Sequence, residues 1–539
     1  MATLNLLPAQ ISHVNNLSSI LKDSPCALDM SSLGSGKTYA SSYIALRDAA
    51  QYKHIIVIAP VSVKVKWLQM TKEYKLPMAA ALSYSEVRGV KNKQPKHGLL
   101  NRRDYTVQMR DPREPAHIIN VDKVDFSVTP KFTQLVNEGV LIVLDEIQNI
   151  KNINAQFHAC QVLIKQVTNM FDANPQSSKS RVLLLSGSPI DKTNQAVHLF
   201  RTLNIMKQDR LSHYDIQSRS MVWDGMQDIV DYASRVNKTA MDKLIVSYGG
   251  LVRMQSLRDI AITSCCYKIF QNVVKPALTS AMLPPQVDFT ISKSNGYYHI
   301  VDDTEAKLLY DAVYNLGSVS QFMNQDVNGN GGLESLRAIS RALLQIETAK
   351  IGTFIRIAKE ALINNPYQKV AICVNYSSTI ADLLTGLAEY TPLVLDGSVN
   401  VKKRTDILTK FQSPDNTHRI IIGNISVMST GIDLDDKDGR FPRIAFVSPN
   451  YSTINLYQLG FRFLRADSKS SAEMCFVYGA HAYENAILAK LALKSTVMKD
   501  TTPEQAANGV VFPSDHNKFI ELPPHGFTPR RADVREFAA

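Results

Sequence analysis

Short, almost unbroken apolar runs recur along the chain, and each is followed by a segment with helical spacing. In the first part the runs are Ile55–Ala59 (IIVIA), Val140–Leu144 (VLIVL) and Val182–Leu185 (VLLL). In the later part they are Val370–Val374 (VAICV), Ile420–Ile422, Ile444–Val447 and Met474–Tyr478. Runs of this kind suit strands buried on both faces, as in parallel sheets, and the intervening segments are long enough for helical crossovers. The pattern predicts two α/β units, over 1–200 and 346–500. The stretch 201–345 has helical periodicity instead, clearest at Tyr232–Tyr248 and Asp303–Val319, with a turn-rich break at Asn324–Gly332. The proline-rich segment 501–539 reads as a C-terminal tail or docking strap.

Composition narrows the class. Hydrophobic residues at 45% and charged residues at 20% exclude a disordered chain. Lys and Arg outnumber Asp and Glu by 60 to 49, a net +11, which leans weakly toward a polyanionic partner. Part of that excess is local: Lys91, Lys93, Lys96, Arg102, Arg103, Arg110 and Arg113 face only Asp104 and Asp111 between 91 and 113. That stretch is either a solvated loop or a phosphate-backbone contact. The 6 cysteines are scattered and lack a C-x-x-C pair, which argues against a disulfide framework and a Cys-rich zinc site. Cys265 and Cys266 are expected to be buried thiols. The N-terminus lacks signal-peptide features, and no apolar run is long enough to span a bilayer. An intracellular chain without a membrane partner is expected.

Two motifs carry chemistry. Leu33–Thr38 reads LGSGKT. Gly34 and Gly36 let the backbone turn so that N–H groups, with that of Ser35 between them, can face a phosphate. Lys37 supplies a charge for the terminal phosphates, and the Thr38 hydroxyl can ligate Mg²⁺ at the start of a helix. Ser31 stands where the full pattern has Gly. The second motif is Asp145–Glu146–Ile147–Gln148, directly after the run Val140–Leu144. Acids at the carboxyl end of a buried parallel strand lie where α/β proteins bind ligands. Asp145 would hold Mg²⁺ through water, and Glu146 would orient and deprotonate an attacking water.

With these residues in view, the chain resembles the helicase superfamily 2 ATPases, nearest to the Swi/Snf-type DNA translocases. Leu6–Gln10 (LLPAQ) resembles the adenine-reading Q element, Leu33–Thr38 motif I, and Ile56–Trp67 (IVIAPVSVKVKW) motif Ia with its following tryptophan. Asp145–Asn152 (DEIQNIKN) resembles motif II, its IKN favouring the Swi/Snf branch, and Leu185–Ile190 (LSGSPI) resembles motif III. Leu283–Pro285 and Thr304–Tyr310 resemble the join to a second lobe. In that lobe Leu395–Phe411 matches a family segment, while Asn424–Leu434 (NISVMSTGIDL) and Gln458–Arg465 (QLGFRFLR) resemble motifs V and VI. Gln148 departs from the family's commoner His. Gly460 lies two residues after Gln458, where the family has Gly at three, here Phe461. Leu82–Gly89 and His97–Asp104 are similar to stretches in compact ATPases of large DNA viruses and phages.

The resemblance implies two tandem RecA-like parallel-sheet lobes with a helical insertion, using ATP and Mg²⁺. It implies catalytic roles for Lys37, Asp145, Glu146, Gln148, Arg462 and Arg465, with Arg465 as arginine finger. Nucleotide contacts would come from Gln10, Gly34, Ser35, Gly36, Lys37, Thr38, Gly431, Asp433 and Gln458. Ser62, Lys64, Asn120, Asn424 and Ser426 would grip nucleic acid. Arg462 and Arg465 are expected on one helical face, and Trp67 as core packing more than a base-stacking ring. The implied activity is ATP-driven translocation on double-stranded DNA, alongside transcription or replication proteins and with viral use in transcription or genome handling. The alternatives are a strand-separating DNA or RNA helicase and a hydrolysis-dead binding scaffold, against which the intact Lys37, Asp145, Glu146 and Arg465 speak.

Overall fold

The computed structural model describes residues 4–110, 118–215, 217–282, 333–465, 468–477 and 493–498, with 304–305, 307–309, 311–312, 491 and 500. Leu283–Pro285, Asn324–Gly332, most of Asp303–Val319 and the 501–539 tail lie outside the described residues. The chain forms two compact units, the first built mainly from Met1–Val107 and Asn120–Pro284, the second mainly from Pro285–Thr496.

The first unit is organised on a six-stranded sheet. Its strands are β1 (Cys26–Asp29), β2 (His54–Ile58), β3 (Met78–Leu82), β6 (Val140–Asp145), β7 (Arg181–Leu185) and β10 (Thr279–Ser280), in the order β10-β1-β7-β6-β2-β3. Every neighbouring pair is parallel. The apolar runs have a direct cause. Along β6, Val140, Ile142 and Leu144 enter one core, while Leu141 and Val143 enter a second core on the opposite face. Alternate residues of β2 and β7 divide the same way. Each fully buried aliphatic side chain stabilises the unit by about 1.5–3 kcal/mol, so both faces must be apolar.

Three features differ from the expectation. The helical stretch over 201–282 is part of the first unit: Met226, Ile229, Val230, Cys265, Cys266 and Ile269 lie in its core, and β10 adds an edge strand. As expected, Cys265 and Cys266 are buried, and burial pushes the Cys265 thiol up to about 11. The basic stretch after Lys91 is only partly a loop. From Leu100 it becomes β4 (Leu100–Arg110), which with β5 (Ile118–Val128) makes a two-stranded ribbon outside the main sheet. Lys91 pairs with Asp122, and Arg102 with Asp104, whose carboxyl is lowered to about 2 chiefly by that guanidinium. A second small hairpin joins β8 (His213–Asp215) to β9 (Ser220–Val222).

The second unit carries a five-stranded parallel sheet. Its strands are β11 (Lys369–Val374), β12 (Leu393–Leu395), β13 (Ile420–Asn424), β14 (Arg443–Val447) and β15 (Ala472–Phe476), in the order β12-β13-β11-β14-β15. Two parallel α/β sheets in tandem are the expected RecA-like architecture. Here a buried carboxylate performs a backbone task. Glu347 accepts hydrogen bonds from the amides of Asn375 (2.9 Å) and Tyr376 (3.0 Å), from Asn375 Nδ2 (2.7 Å) and from the Thr379 hydroxyl (2.9 Å). It thereby satisfies orphan donors at the start of helix Ser377–Gly386. Glu347→Ala is expected to destabilise the second unit by about 1–3 kcal/mol through stranded donors. A lowered urea midpoint and faster hydrogen exchange at the Asn375 and Tyr376 amides would show it.

Candidate active site

The carboxyl edge of the first sheet collects the chemistry. β1 ends at Asp29, the phosphate-type loop follows, and helix α2 (Lys37–Arg47) starts at its lysine. Gly34 and Gly36 both have positive φ, 82° and 92°. A Cβ on Gly36 would stand 2.3 Å from Gln10 Nε2, so glycine is required for conformation and for space. Gln10 is buried on helix α1 (Pro8–Asp23) and donates to the Ser35 carbonyl at 3.0 Å. Lys37 is 9% exposed, and its Nζ donates to the carbonyls of Ser31 (2.9 Å) and Ser32 (3.0 Å). Ser35 and Thr38 are buried beside it.

Ser31, the departure from the glycine pattern, has a structural task. Its amide donates to Asp29 Oδ1 at 2.9 Å, and its hydroxyl accepts from the Met282 amide at 2.9 Å and lies 3.3 Å from His13 Nε2. Burial works to raise the Asp29 carboxyl, but its contact with His13 and the Lys37 charge outweigh this and hold it below the usual range.

β6 delivers Asp145 and Glu146, 4% and 6% exposed. Glu146 adopts the left-handed region at φ 59°, an uncommon conformation for a non-glycine residue and one that functional sites retain. Gln148 Nε2 donates to Glu146 Oε2 at 2.5 Å, the Ser186 hydroxyl donates to Gln148 Oε1 at 2.7 Å, and the Ser188 amide donates to Ser186 Oγ at 3.0 Å. Motifs II and III are thus joined by a continuous polar relay. Burial first, and then the Glu146 charge, raise the Asp145 carboxyl to about 6, against the Trp67 hydrogen bond and the Lys37 charge. The Thr38 hydroxyl and the Asp145 carboxylate are hard oxygen donors of the type Mg²⁺ takes. Among the described residues the buried Ser32 hydroxyl in the same loop has no hydrogen-bond partner, in keeping with a loop built to face a polar ligand.

Of the expected nucleic-acid contacts, Ser62 and Lys64 sit in the first turn of helix α3 (Val61–Tyr74), where Lys64 pairs with Glu86 at 2.7 Å. Asn120 is exposed on β5 of the ribbon, not at the carboxyl edge of the sheet. Trp67 is fully buried, which removes the base-stacking alternative. Its indole N–H, whose role sequence spacing did not signal, donates to Asp145 Oδ2 at 2.9 Å.

In the second unit, β13 ends at Asn424, which is 8% exposed and donates to the Asn375 carbonyl at 3.2 Å; Ser426 beyond it is exposed. Gly431 has φ 66°. Asp433 pairs with Arg465 at 2.8 Å. Arg462 is buried and donates to the Ser429 carbonyl at 2.8 Å, and Gln458 is buried. The two arginines do not share a helical face. Helix Thr453–Gly460 ends before them; Arg462 lies in the turn that follows and Arg465 in a segment without regular structure. The early Gly460 coincides with that end, as glycine near a helix C-terminus often does.

A parallel α/β unit with a phosphate-type loop, a buried Asp–Glu pair and a relay to the next strand defines a nucleoside-triphosphate-hydrolysing class. The helicase conserved C-terminal domain matches residues 353–466, in the second unit. That match and the ordered motifs make the chain similar to the ATP-dependent helicases of superfamily 2. A protein of Acanthamoeba polyphaga mimivirus named among the ATP-dependent RNA helicases (L364) is 22% identical over 493 residues, spanning 91% of this chain and 82% of that one. The Sulfolobus solfataricus SWI2/SNF2 ATPase core, solved with double-stranded DNA, aligns over 93% of this chain and 94% of its own at 15% identity and TM-score 0.30. The C-terminal part of the Fun30 ATPase domain aligns over 41% of this chain and all of its own, at 12% identity and TM-score 0.28.

The raised Asp145 has a consequence for stability. Its folded-state pKa exceeds the unfolded one, so its contribution is fully present below the unfolded value and lost as pH rises through about 6. The melting temperature of nucleotide- and metal-free protein is expected to fall between pH 4 and 7 by a component that Asp145→Asn removes. Equal pH slopes in the two proteins would contradict it.

Proposed function

We propose that the chain translocates along double-stranded DNA, using ATP hydrolysed at the loop and acids of the first unit. The observation that carries the reading is the relay Glu146–Gln148–Ser186–Ser188, which ties the proposed water-orienting acid to motif III. Lys37 and the loop amides bind the phosphates. Thr38 and Asp145 would hold Mg²⁺, which would neutralise charge on the phosphate oxygens. Glu146 takes the proton of the attacking water, and Gln148 fixes its carboxylate. Arg465, freed from Asp433, acts as the finger, and Arg462 supports it. Gln10, Gly431, Asp433 and Gln458 complete the nucleotide contacts. Ser62, Lys64, Asn424 and Ser426 touch phosphates, which position a strand without reading its sequence. Use in viral transcription or genome handling is part of the proposal, supported by the mimivirus relative.

A strand-separating helicase is the second reading, favoured by the RNA-helicase name of that relative. Triplex displacement without unwinding of a forked duplex is the outcome expected for translocation, and robust unwinding would replace it with the second reading. Lys37→Ala should abolish nucleic-acid-stimulated ATPase; unchanged turnover would sink the ATP-site assignment. Arg465→Ala should lower turnover about 10³-fold with ATP affinity nearly kept. A large affinity loss at normal turnover would remove the finger role.

The ion pairs divide the basic stretch. Among the described residues Lys91 and Arg102 are committed to Asp122 and Asp104, and Lys93, Lys96, Arg103 and Arg110 are the proposed phosphate contacts; Asp111 and Arg113 lie outside the described residues. Replacing these four with Gln should flatten the log–log salt slope of DNA binding by up to about 3–4. An unchanged slope would make the stretch a solvated surface.

A further inference from the structure

Helix α3 has two faces with different chemistry. Val63, Trp67 and Met70 are its buried positions, spaced four and three residues apart, and they anchor it in the core beside the sheet. Its first turn carries Ser62 and Lys64, and Lys66 acts on Asp145 through its charge. The buried face is apolar except for one group, the Trp67 indole N–H, directed at Asp145 Oδ2 at 2.9 Å. Tyr84, also buried, donates its hydroxyl to the Asp145 main-chain carbonyl at 2.8 Å. One donor thus fixes the side chain of the acid and another its backbone. A phenylalanine would fill the core at position 67, but among the aromatic side chains tryptophan adds a ring N–H that donates and does not ionise.

We propose that Trp67 is a positioning residue for the Asp145 carboxylate, and that it makes α3 the element through which nucleic acid on its first turn is read at the metal-holding acid. The proposal rests on the ATPase reading above. A helix anchored by packing moves as a unit, so a shift imposed at Ser62 and Lys64 reaches Trp67 one turn later. The hydrogen bond then orients or releases Asp145. Metal-ligating carboxylates held by outer partners lose about 10–100-fold in metal affinity when the partner is removed.

The chain has 2 tryptophans, which permits a single-atom test. In a Trp223→Phe background, growth of a tryptophan auxotroph on β-(3-benzothienyl)alanine replaces only the Trp67 N–H by sulfur and keeps the ring shape. Mn²⁺ binding with a non-hydrolysable ATP analogue, read by electron paramagnetic resonance, is expected to weaken about tenfold or more. Stimulation of ATPase by double-stranded DNA is expected to fall at least as far, while DNA affinity stays at the Trp223→Phe value. Mn²⁺ affinity equal to that of the parent would overturn the positioning role. Weakened Mn²⁺ binding with full DNA stimulation would overturn the coupling through α3. Trp67→Phe provides the same two readouts if incorporation lowers the yield of folded protein. A parent protein without any nucleic-acid stimulation would overturn the motor reading and the coupling together, while the Mn²⁺ measurement would still decide the positioning role.

Discussion

Two adjacent carboxylates at the end of a fully buried strand impose the main constraint on the first unit. β6 must be apolar to lie between two cores, yet it ends in Asp145 and Glu146, both nearly buried. Buried charge is costly unless it is paired or hydrogen-bonded. The surrounding groups answer that requirement. Lys37 and Lys66 supply positive potential, Trp67 donates to Asp145, and Gln148 donates to Glu146. The loop at 30–36, helix α3 and the strand β7 that leads to Ser186 are arranged around one electrostatic problem.

The second unit handles charge differently. Its buried cations are satisfied mostly by main-chain carbonyls. Lys350 reaches the carbonyl of Val477, Lys369 those of Phe411 and Ser413, and Arg462 that of Ser429. Arg443 reaches the carbonyls of Phe441, Leu434 and Asp435. Burial lowers Lys369 to about 8 and Arg443 to about 10. Long basic side chains thereby stitch loops to strands. Arg465 differs, since its partner Asp433 is half exposed and their contact is open to exchange.

Much of this was legible before the fold was known, for a physical reason. Parallel strands between two cores read as continuous apolar runs, and phosphate chemistry needs glycines, a lysine and acids at narrow spacing. β3, with its three alanines, and the two-residue β10 carry too little apolar signal to be seen. The ribbon β4–β5 was hidden because its half-buried positions alternate with exposed ones, so it lacks the continuous apolar runs that mark the strands of the main sheet. The roles of Trp67, Tyr84 and His13 depend on contacts across 78, 61 and 267 residues, which periodicity cannot show. Motif VI misled for a local reason. Positions four and seven residues after Gln458 suit one helical face, but the helix stops at Gly460.

The amide at position 148 gives the relay a direction. A carboxamide has one oxygen and one NH₂ group, and here the NH₂ serves Glu146 while the oxygen serves Ser186. Turning the group over would set acceptor against acceptor at the glutamate. The orientation is therefore locked by its neighbours, and no proton exchange with solvent can rewrite it. An imidazole in this place would alternate between tautomers and gain charge in mild acid. With glutamine, the link between the two motifs keeps one polarity while Glu146 presents a carboxylate.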